Sequence, residues 1–170
     1  MLSCRPVPAI RCTHVEVYVF RRRARRIEFL ALRRSRGRRH LPGVWQPVTG
    51  KIGLLETALE AAVREVREET GLSPKRWWSL ETMTTYFDAS VDGVRVLPLF
   101  AAEIGARSRV VLSKEHDDQA FLGTREAGRR YLWEAQRRAL EAVRREVLGR
   151  RDLAKALELE AGARRVRRRK

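Results

Sequence analysis

Three glutamates, Glu65, Glu68 and Glu69, stand at i, i+3 and i+4 of one segment of this 170-residue chain. On a helix, at about 100° per residue, they share one sector roughly 100° wide. Like charges so spaced repel by a few tenths of a kcal/mol per pair, roughly. A divalent cation reverses that sign. Hard ions such as Mg²⁺ take carboxylate oxygens together with water and phosphate oxygens. Bound in that way, they neutralise phosphate charge and activate water. The competing reading is a solvated helix face held by ion pairs. Glu60–Arg64 and Arg64–Glu68 are both i, i+4, the first in the favoured order.

The elements around these acids decide how they are presented. Thr57-Ala58-Leu59-Glu60 spells a capping box, and Leu59, Ala62, Val63, Val66 and Thr70 follow at helical spacing. Gly71 sits where a glycine ends a helix. The spacing predicts a helix over 58–70 whose core stripe adjoins the three carboxylates. Upstream, 13–20 and 27–32 read as strands of a hairpin around the Arg-rich turn 21–26, and 33–43 as a loop. Residues 45–49 form a short strand, and 50–55 a glycine-containing loop. Downstream, 79–87 and 94–103 read as strands joined by an Asp92-Gly93 turn, 110–112 as a further short strand, and 120–122 as another. Helical patterns follow over 124–131 and 133–148, the second marked by Gln136, Ala139, Leu140, Val143 and Val147. This order predicts an α/β fold, a sandwich around a mixed sheet. The expected division is a domain over 1–148 and a basic extension over 149–170. Helix is expected up to about Glu160 and a solvated or disordered stretch from Ala163 to Lys170.

The wider spacing is more specific than the acids alone. Gly50 is followed by five residues and Glu56, then by seven residues and Arg64-Glu65, Val66, Arg67, Glu68-Glu69, Thr70 and Gly71-Leu72. This resembles the Nudix box, Gx5Ex7REUxEExGU with U a bulky aliphatic, and every fixed position matches. The resemblance implies the Nudix α/β/α sandwich and Mg²⁺- or Mn²⁺-dependent hydrolysis of a nucleoside diphosphate linked to another group. It makes Glu65, Glu68 and Glu69 the metal-binding carboxylates, one glutamate the general base, and the Gly50 carbonyl a further ligand. Glu56 and Arg64 are expected to orient the loop and helix by pairing. Gly53 leaves the loop room to approach phosphates. The flanks Trp45-Gln46-Pro47-Val48-Thr49-Gly50 and Leu112-Ser113-Lys114-Glu115-His116 resemble segments of the dihydroneopterin triphosphate pyrophosphatase and dATP pyrophosphohydrolase group. That likeness, spanning about 13–145, implies an additional metal or catalytic role for Glu115. The aromatic that usually follows the EH pair in that group is missing here, with Phe121 as its nearest replacement.

Other residues are candidates for substrate contact. Arg33 or Arg34 offers a bidentate fork for phosphate, and Lys51 a cation beside the box. Trp45, Tyr86 and Phe87 offer faces on which a base stacks, although Trp45 at such a position is more often core. His116 beside Glu115 is a weaker candidate for acid–base work.

Composition bounds the rest. Hydrophobic residues make up 44%, enough for a core, and no apolar run approaches the roughly 20 residues of a membrane helix. The N-terminus lacks the apolar stretch of a signal peptide, so a cytoplasmic location is expected. Cys4 and Cys12 give no disulfide framework, and Cys12 with His14 lacks the further soft ligands of a zinc site. The net charge is +16, of which residues 21–39 carry +9 and 150–170 carry +6. Two basic segments on a nearly neutral body attract polyanions. The leading expectation is hydrolysis of a nucleoside or dihydroneopterin triphosphate to a monophosphate and pyrophosphate. A dinucleoside polyphosphate or oxidised-nucleotide hydrolase is the alternative within the class. A nucleic-acid-binding protein on a Nudix scaffold is the alternative outside it, motivated by the charge. The sequence does not specify an oligomeric state.

Overall fold

The computed structural model describes residues 7–160 except Arg25. Alternation of side chains along the strands builds both sides of the core. In β2 (His14–Arg23), Val15, Val17 and Val19 enter one buried cluster, while Tyr18 and Phe20 enter another. β3 (Arg26–Arg34) continues the pattern, with Leu30 and Leu32 on the first side and Phe29 and Ala31 on the second. The sheet is therefore buried on both faces, as period-2 strands rich in β-branched and aromatic residues allow.

The sheet is mixed. β7 (Gly93–Ile104) runs parallel to β2 and antiparallel to β6 (Arg76–Asp88). β8 (His116–Leu122) pairs antiparallel with β3, and the short β4 (Trp45–Gln46) pairs with β3 beside it. β5 (Val48–Lys51) pairs antiparallel with the start of β2, placing Gly50 opposite Val15. Three segments depart from expectation. β1 (Ala9–Arg11) adds a parallel strand on β7, and β9 (Glu158–Leu159) pairs with Trp77 and Trp78 of β6. The segment 110–112, expected as a strand, joins no ladder. Its backbone is spent on the helix that precedes it, as described below.

Helix α1 (Ala58–Thr70) covers the first face. Thr57 caps it through the complete capping box, and Gly71 closes it at φ 66°. Its buried residues are Ala61, Ala62, Val66, Glu69 and Thr70. The stripe is thus rotated from the one predicted: Val63 is exposed, and the small Ala61 takes its place against the sheet. That rotation carries Glu69 into the buried surface. On the second face lie α2 (Thr124–Arg130) and α3 (Glu134–Val143), where Gln136, Ala139, Leu140 and Val143 are buried as the sequence pattern implied. The chain continues through one π-helical turn at 144–148 into α4 (Arg151–Leu157). Leu157 and Leu159 then pack against the two core clusters, so residues 151–159 lie on the body of the fold. The result is an α/β/α sandwich.

Candidate active site

The carboxylates gather where β5, α1 and the approach to β8 meet. Gly50 makes this convergence sterically feasible. A Cβ at position 50 would lie 1.9 Å from Glu65 Cδ and 2.2 Å from its Oε1. The Glu65 carboxylate occupies the space that any larger residue in β5 would fill.

Arg64 ties loop to helix. Its Nε and Nη2 donate to Glu56 at 2.8 and 2.9 Å, and Nη2 also donates to the Lys51 carbonyl at 2.8 Å. Its Nη1 donates to Glu65 at 2.7 Å and to Glu68 at 3.0 Å. Glu56 in turn accepts from the Gly53 N–H at 2.8 Å, which folds the loop back on itself. These bonds hold the Glu56 carboxyl below its usual range, the Arg64 guanidinium being the largest cause.

Glu115 reaches the cluster by backbone bonds. The last carbonyls of a helix lack intrahelical partners. Here the N–H groups of Val111 and Ser113 donate to the carbonyls of Thr70 and Glu69, at 2.8 and 3.1 Å. The segment 111–113 is thereby pinned to the end of α1. Two residues on, Glu115 accepts from Arg38 Nη2 at 3.1 Å.

Glu69 and His116 are the buried pair. Burial, then the charges of Glu65 and Glu115, raise the Glu69 carboxyl to about 9. Burial lowers His116 to about 4. Their closest approach, His116 Nδ1 to Glu69 Oε2, is 4.0 Å. With the imidazole neutral and the carboxyl protonated at neutral pH, this contact is not an ion pair. Glu69 Oε2 and both ring nitrogens of His116 are buried without a hydrogen-bond partner. Glu65 is raised as well, by burial first, with Arg64 opposing and Glu68 and Glu115 adding to the rise.

Among the described residues, no three His, Cys, Asp or Glu side chains stand as a ready set of metal ligands. Arg64 holds Glu65 and Glu68, and Arg38 holds Glu115. By donor type the residues fit a hard divalent cation. They are all oxygen, mutually repelling, and include the partnerless Glu69 Oε2.

Of the expected substrate contacts, Arg33 and Trp45 lie on the second face, and Arg34 and Lys51 lie nearer the carboxylates. Arg33 shares the face of Phe29 and Ala31, across the sheet from Glu65 and Glu69. It pairs with Asp117 at 2.6 Å and Asp118 at 3.4 Å. A register shift between Arg33 and Arg34 separates the two arginines. Arg34 is the one whose charge acts on Glu69 and His116, and its Nε donates to the His40 carbonyl. Trp45 is half-buried on the second face, between the guanidinium groups of Arg33 at 5.8 Å and Arg130 at 4.9 Å. Lys51 is exposed, paired in register with His14, and its charge contributes to lowering the His14 imidazole, after burial and Arg95. Tyr86 and Phe87 are exposed on β6.

Sequence reasoning passed over Arg38 and a polar cluster on the second face. There Glu16 accepts from the Tyr18 hydroxyl at 3.0 Å and from Gln136 Nε2 at 3.4 Å. Burial raises the Glu16 carboxyl, opposed by these bonds and by Thr84. The signal was present: in His14-Val15-Glu16-Val17-Tyr18, Glu16 falls on the inward period of Tyr18 and Phe20. Cys12 is a free, exposed thiol, and Cys4 lies outside the described residues.

The NUDIX domain model matches residues 12–143. The chain belongs to the Nudix family, and its intact carboxylate motif places it among that family's hydrolases of phosphoanhydride bonds. Several solved structures share the fold. An Ap4A hydrolase from C. elegans is 21% identical with a TM-score of 0.68, covering 81% of this chain and 98% of its own. The MutT protein of Methanosarcina mazei Go1 is 25% identical with a TM-score of 0.65, covering 85% and 98%. The E. coli dihydroneopterin triphosphate pyrophosphohydrolase is 21% identical with a TM-score of 0.63, covering 80% and 96%, and is one of several comparable neighbours. No curated protein matches the chain significantly. No helix of the described residues is long and apolar enough to cross a membrane.

Proposed function

We propose that this protein hydrolyses a nucleoside-triphosphate-like substrate, an NTP, a dNTP or dihydroneopterin triphosphate, to a monophosphate and pyrophosphate, with Mg²⁺ or Mn²⁺. The observation that carries the reading is the convergence of Gly50, Glu65, Glu68, Glu69 and Glu115, with Glu69 buried and its Oε2 without a hydrogen-bond partner. Nudix hydrolases generally need a divalent cation. The residues to hold it here are Glu65, Glu68, Glu69 and Glu115 with the Gly50 carbonyl. When bound, such an ion supplies neutralisation of phosphate oxygens and a more acidic water. The chain's own residues prepare the rest. Glu56 and Arg64 fix the loop from Gly50 to Glu56 against α1. Arg34 and Arg38 bring positive charge to the carboxylate side, where a phosphate chain has to approach. His116, kept neutral by burial, offers a proton acceptor or donor beside Glu115 without adding charge.

The Ap4A hydrolase among the structural neighbours makes a dinucleoside polyphosphate the second reading. One experiment separates the two: purified protein with Mg²⁺ and a panel of NTPs, dNTPs, dihydroneopterin triphosphate and diadenosine tetraphosphate, scored for pyrophosphate and for nucleotide products. Pyrophosphate release from a triphosphate supports the first. Exclusive turnover of diadenosine tetraphosphate, with no pyrophosphate, overturns it. Glu68→Gln should lower turnover at least about a hundredfold with the fold preserved, because charge stabilisation by metal is worth several kcal/mol, roughly. A near wild-type rate at saturating Mg²⁺ would remove Glu68 from the site.

A further inference from the structure

A second concentration of charge lies at the far end of the sheet. Arg22, next to the last residue of β2, lies seven residues beyond Val15, the partner of Gly50. At about 3.3 Å per residue that is roughly 23 Å along the strand. Here a cleft of about 650 Å³ opens between the start of β6 and α4. Its walls carry Arg22, Arg76, Arg151 and Lys155, with Glu158 as the one acid among the lining residues. Arg76 spends its fork on Glu158, at 2.7 and 2.8 Å, and Arg22 donates to Glu103 at 3.0 Å. Arg151 and Lys155 have no carboxylate partner among the described residues. They are like charges one helical turn apart, an arrangement that costs stability unless an anion lies between them. Counting Glu103 with Glu158, the cleft keeps an excess of about two positive charges.

The other walls are apolar, from Val147, Leu148 and Trp78. Trp78 is fully buried, and its Nε1–H meets no acceptor. The Arg76 guanidinium lies over its ring, 4.7 Å from the centroid. Residues 161–170 hold six basic residues and no acid.

We propose that this cleft is a second anion site, separate from the carboxylate cluster, that binds a phosphate dianion, either free or as the terminal monoester of a small organic phosphate. Charge decides the class. A phosphomonoester carries about −1.5 to −2 at neutral pH and three acceptor oxygens, which matches the excess and the available N–H donors. A phosphodiester of a nucleic-acid backbone carries a single charge and would leave the cleft positive. The Arg151 guanidinium fork suits planar recognition of phosphate oxygens, and the apolar wall suits an attached organic body.

The test uses the full ¹⁵N-labelled chain in excess EDTA, so that metal-dependent chemistry is silent. The readout is the indole N–H resonance of Trp78, assigned with Trp78→Phe. Inorganic phosphate, adenosine monophosphate, adenosine and a thymidine dinucleotide with free hydroxyl ends are titrated separately at constant ionic strength. Phosphate or the monophosphate should shift the Trp78 resonance saturably. Equal affinity for both identifies the free anion, and tighter binding of the monophosphate identifies an organic ester. Replacing the exposed Arg151 and Lys155 together by Gln should weaken binding about a hundredfold, each charge-assisted bond being worth about a factor of ten. Binding should also fade below about pH 6, where the dianion gains a proton. The proposal is overturned by an unmoved Trp78 resonance, by adenosine or the dinucleotide binding as well as the monophosphate, or by unchanged affinity in the double variant.

Discussion

Replacing Gly50 by alanine adds one methyl group at the point where β5 meets Glu65. Position 50 is not at positive φ, since among the described glycines only Gly43 and Gly71 are. Alanine is therefore conformationally tolerated and narrows the unfolded ensemble slightly, a gain of about 0.4–1 kcal/mol. The new Cβ would sit 1.9 Å from Glu65 Cδ. Ordinary carbon contact is about 3.5–4.0 Å, so the carboxylate must move by roughly 1.5–2 Å. Only the end of a flexible side chain stands in the way, and the fold can yield there cheaply. We expect the denaturation midpoint to change little, by no more than about 1 kcal/mol in stability. Activity should respond far more, because a displacement of about 1 Å at a reacting group costs on the order of a hundredfold. The decisive measurement is a double-mutant cycle on Mg²⁺-dependent pyrophosphate release, with Glu65→Ala as the second change. If Gly50→Ala acts by evicting Glu65, it should have almost no further effect once the Glu65 side chain is gone. An equal rate loss from Gly50→Ala in both backgrounds would refute the reasoning and assign the damage to the backbone.

Other consequences are open to simpler assays. Glu115→Gln should depress kcat more than it raises KM, as for an interaction made in the transition state; a pure KM effect would reduce Glu115 to a binding contact. Glu16→Gln bears on stability. Burial raises the folded-state carboxyl of Glu16, so the folded protein binds a proton more tightly than the unfolded chain, and stability is lost as pH rises above the ordinary carboxylate range. The variant should gain on the wild type as pH climbs from acid to neutral in urea titrations, and a pH-independent difference would count against a buried, proton-linked Glu16. Deleting 161–170 should leave nucleotide hydrolysis within about twofold, since the metal contribution is local. The same deletion should weaken non-specific nucleic-acid binding and flatten its salt dependence. A large loss of turnover would show instead that the tail acts at the active site.

What the sequence disclosed and what it withheld have physical causes. The helix over 58–70 was legible because cap, stripe and terminal glycine are local signals. The family was legible because Gly50, Glu56, Arg64 and the glutamates repeat a spacing that only one loop-and-helix geometry needs. Long alternating strands were legible for the same reason. β1, β9 and the loop 111–113 were not, since segments of two or three residues owe their conformation to their partners. The assignment to Val63 failed because two small neighbours, Ala61 and Ala62, let the helix lie closer and turn. Alternation puts Arg33 and Arg34 on opposite faces, and the choice between them depended on which face the carboxylates occupy, which only the packing of the helix decides. Arg38 was hidden among ten arginines of 21–39, because charge runs carry no information about which member meets an acid.

The arrangement of Arg64 suggests how a site so dense in carboxylates folds before any cation arrives. Three glutamates share this one guanidinium, and its nitrogens divide the work. Nε and Nη2 hold Glu56 and the Lys51 carbonyl, which shape the loop, while Nη1 alone holds Glu65 and Glu68. The bonds that would have to be surrendered to a metal are therefore separable from those that keep the loop in place. Glu115 is held in the same provisional way by the half-exposed Arg38. Glu69 alone has no arginine, and burial keeps its proton on. A divalent cation entering there would displace a proton from Glu69 and arginine nitrogens from the others, exchanging weak, partly solvated pairings for one concentrated charge. Arg64 is thus accounted for in the metal-free state as much as in the loaded one: without it, Glu56, Glu65 and Glu68 would lose the guanidinium they share.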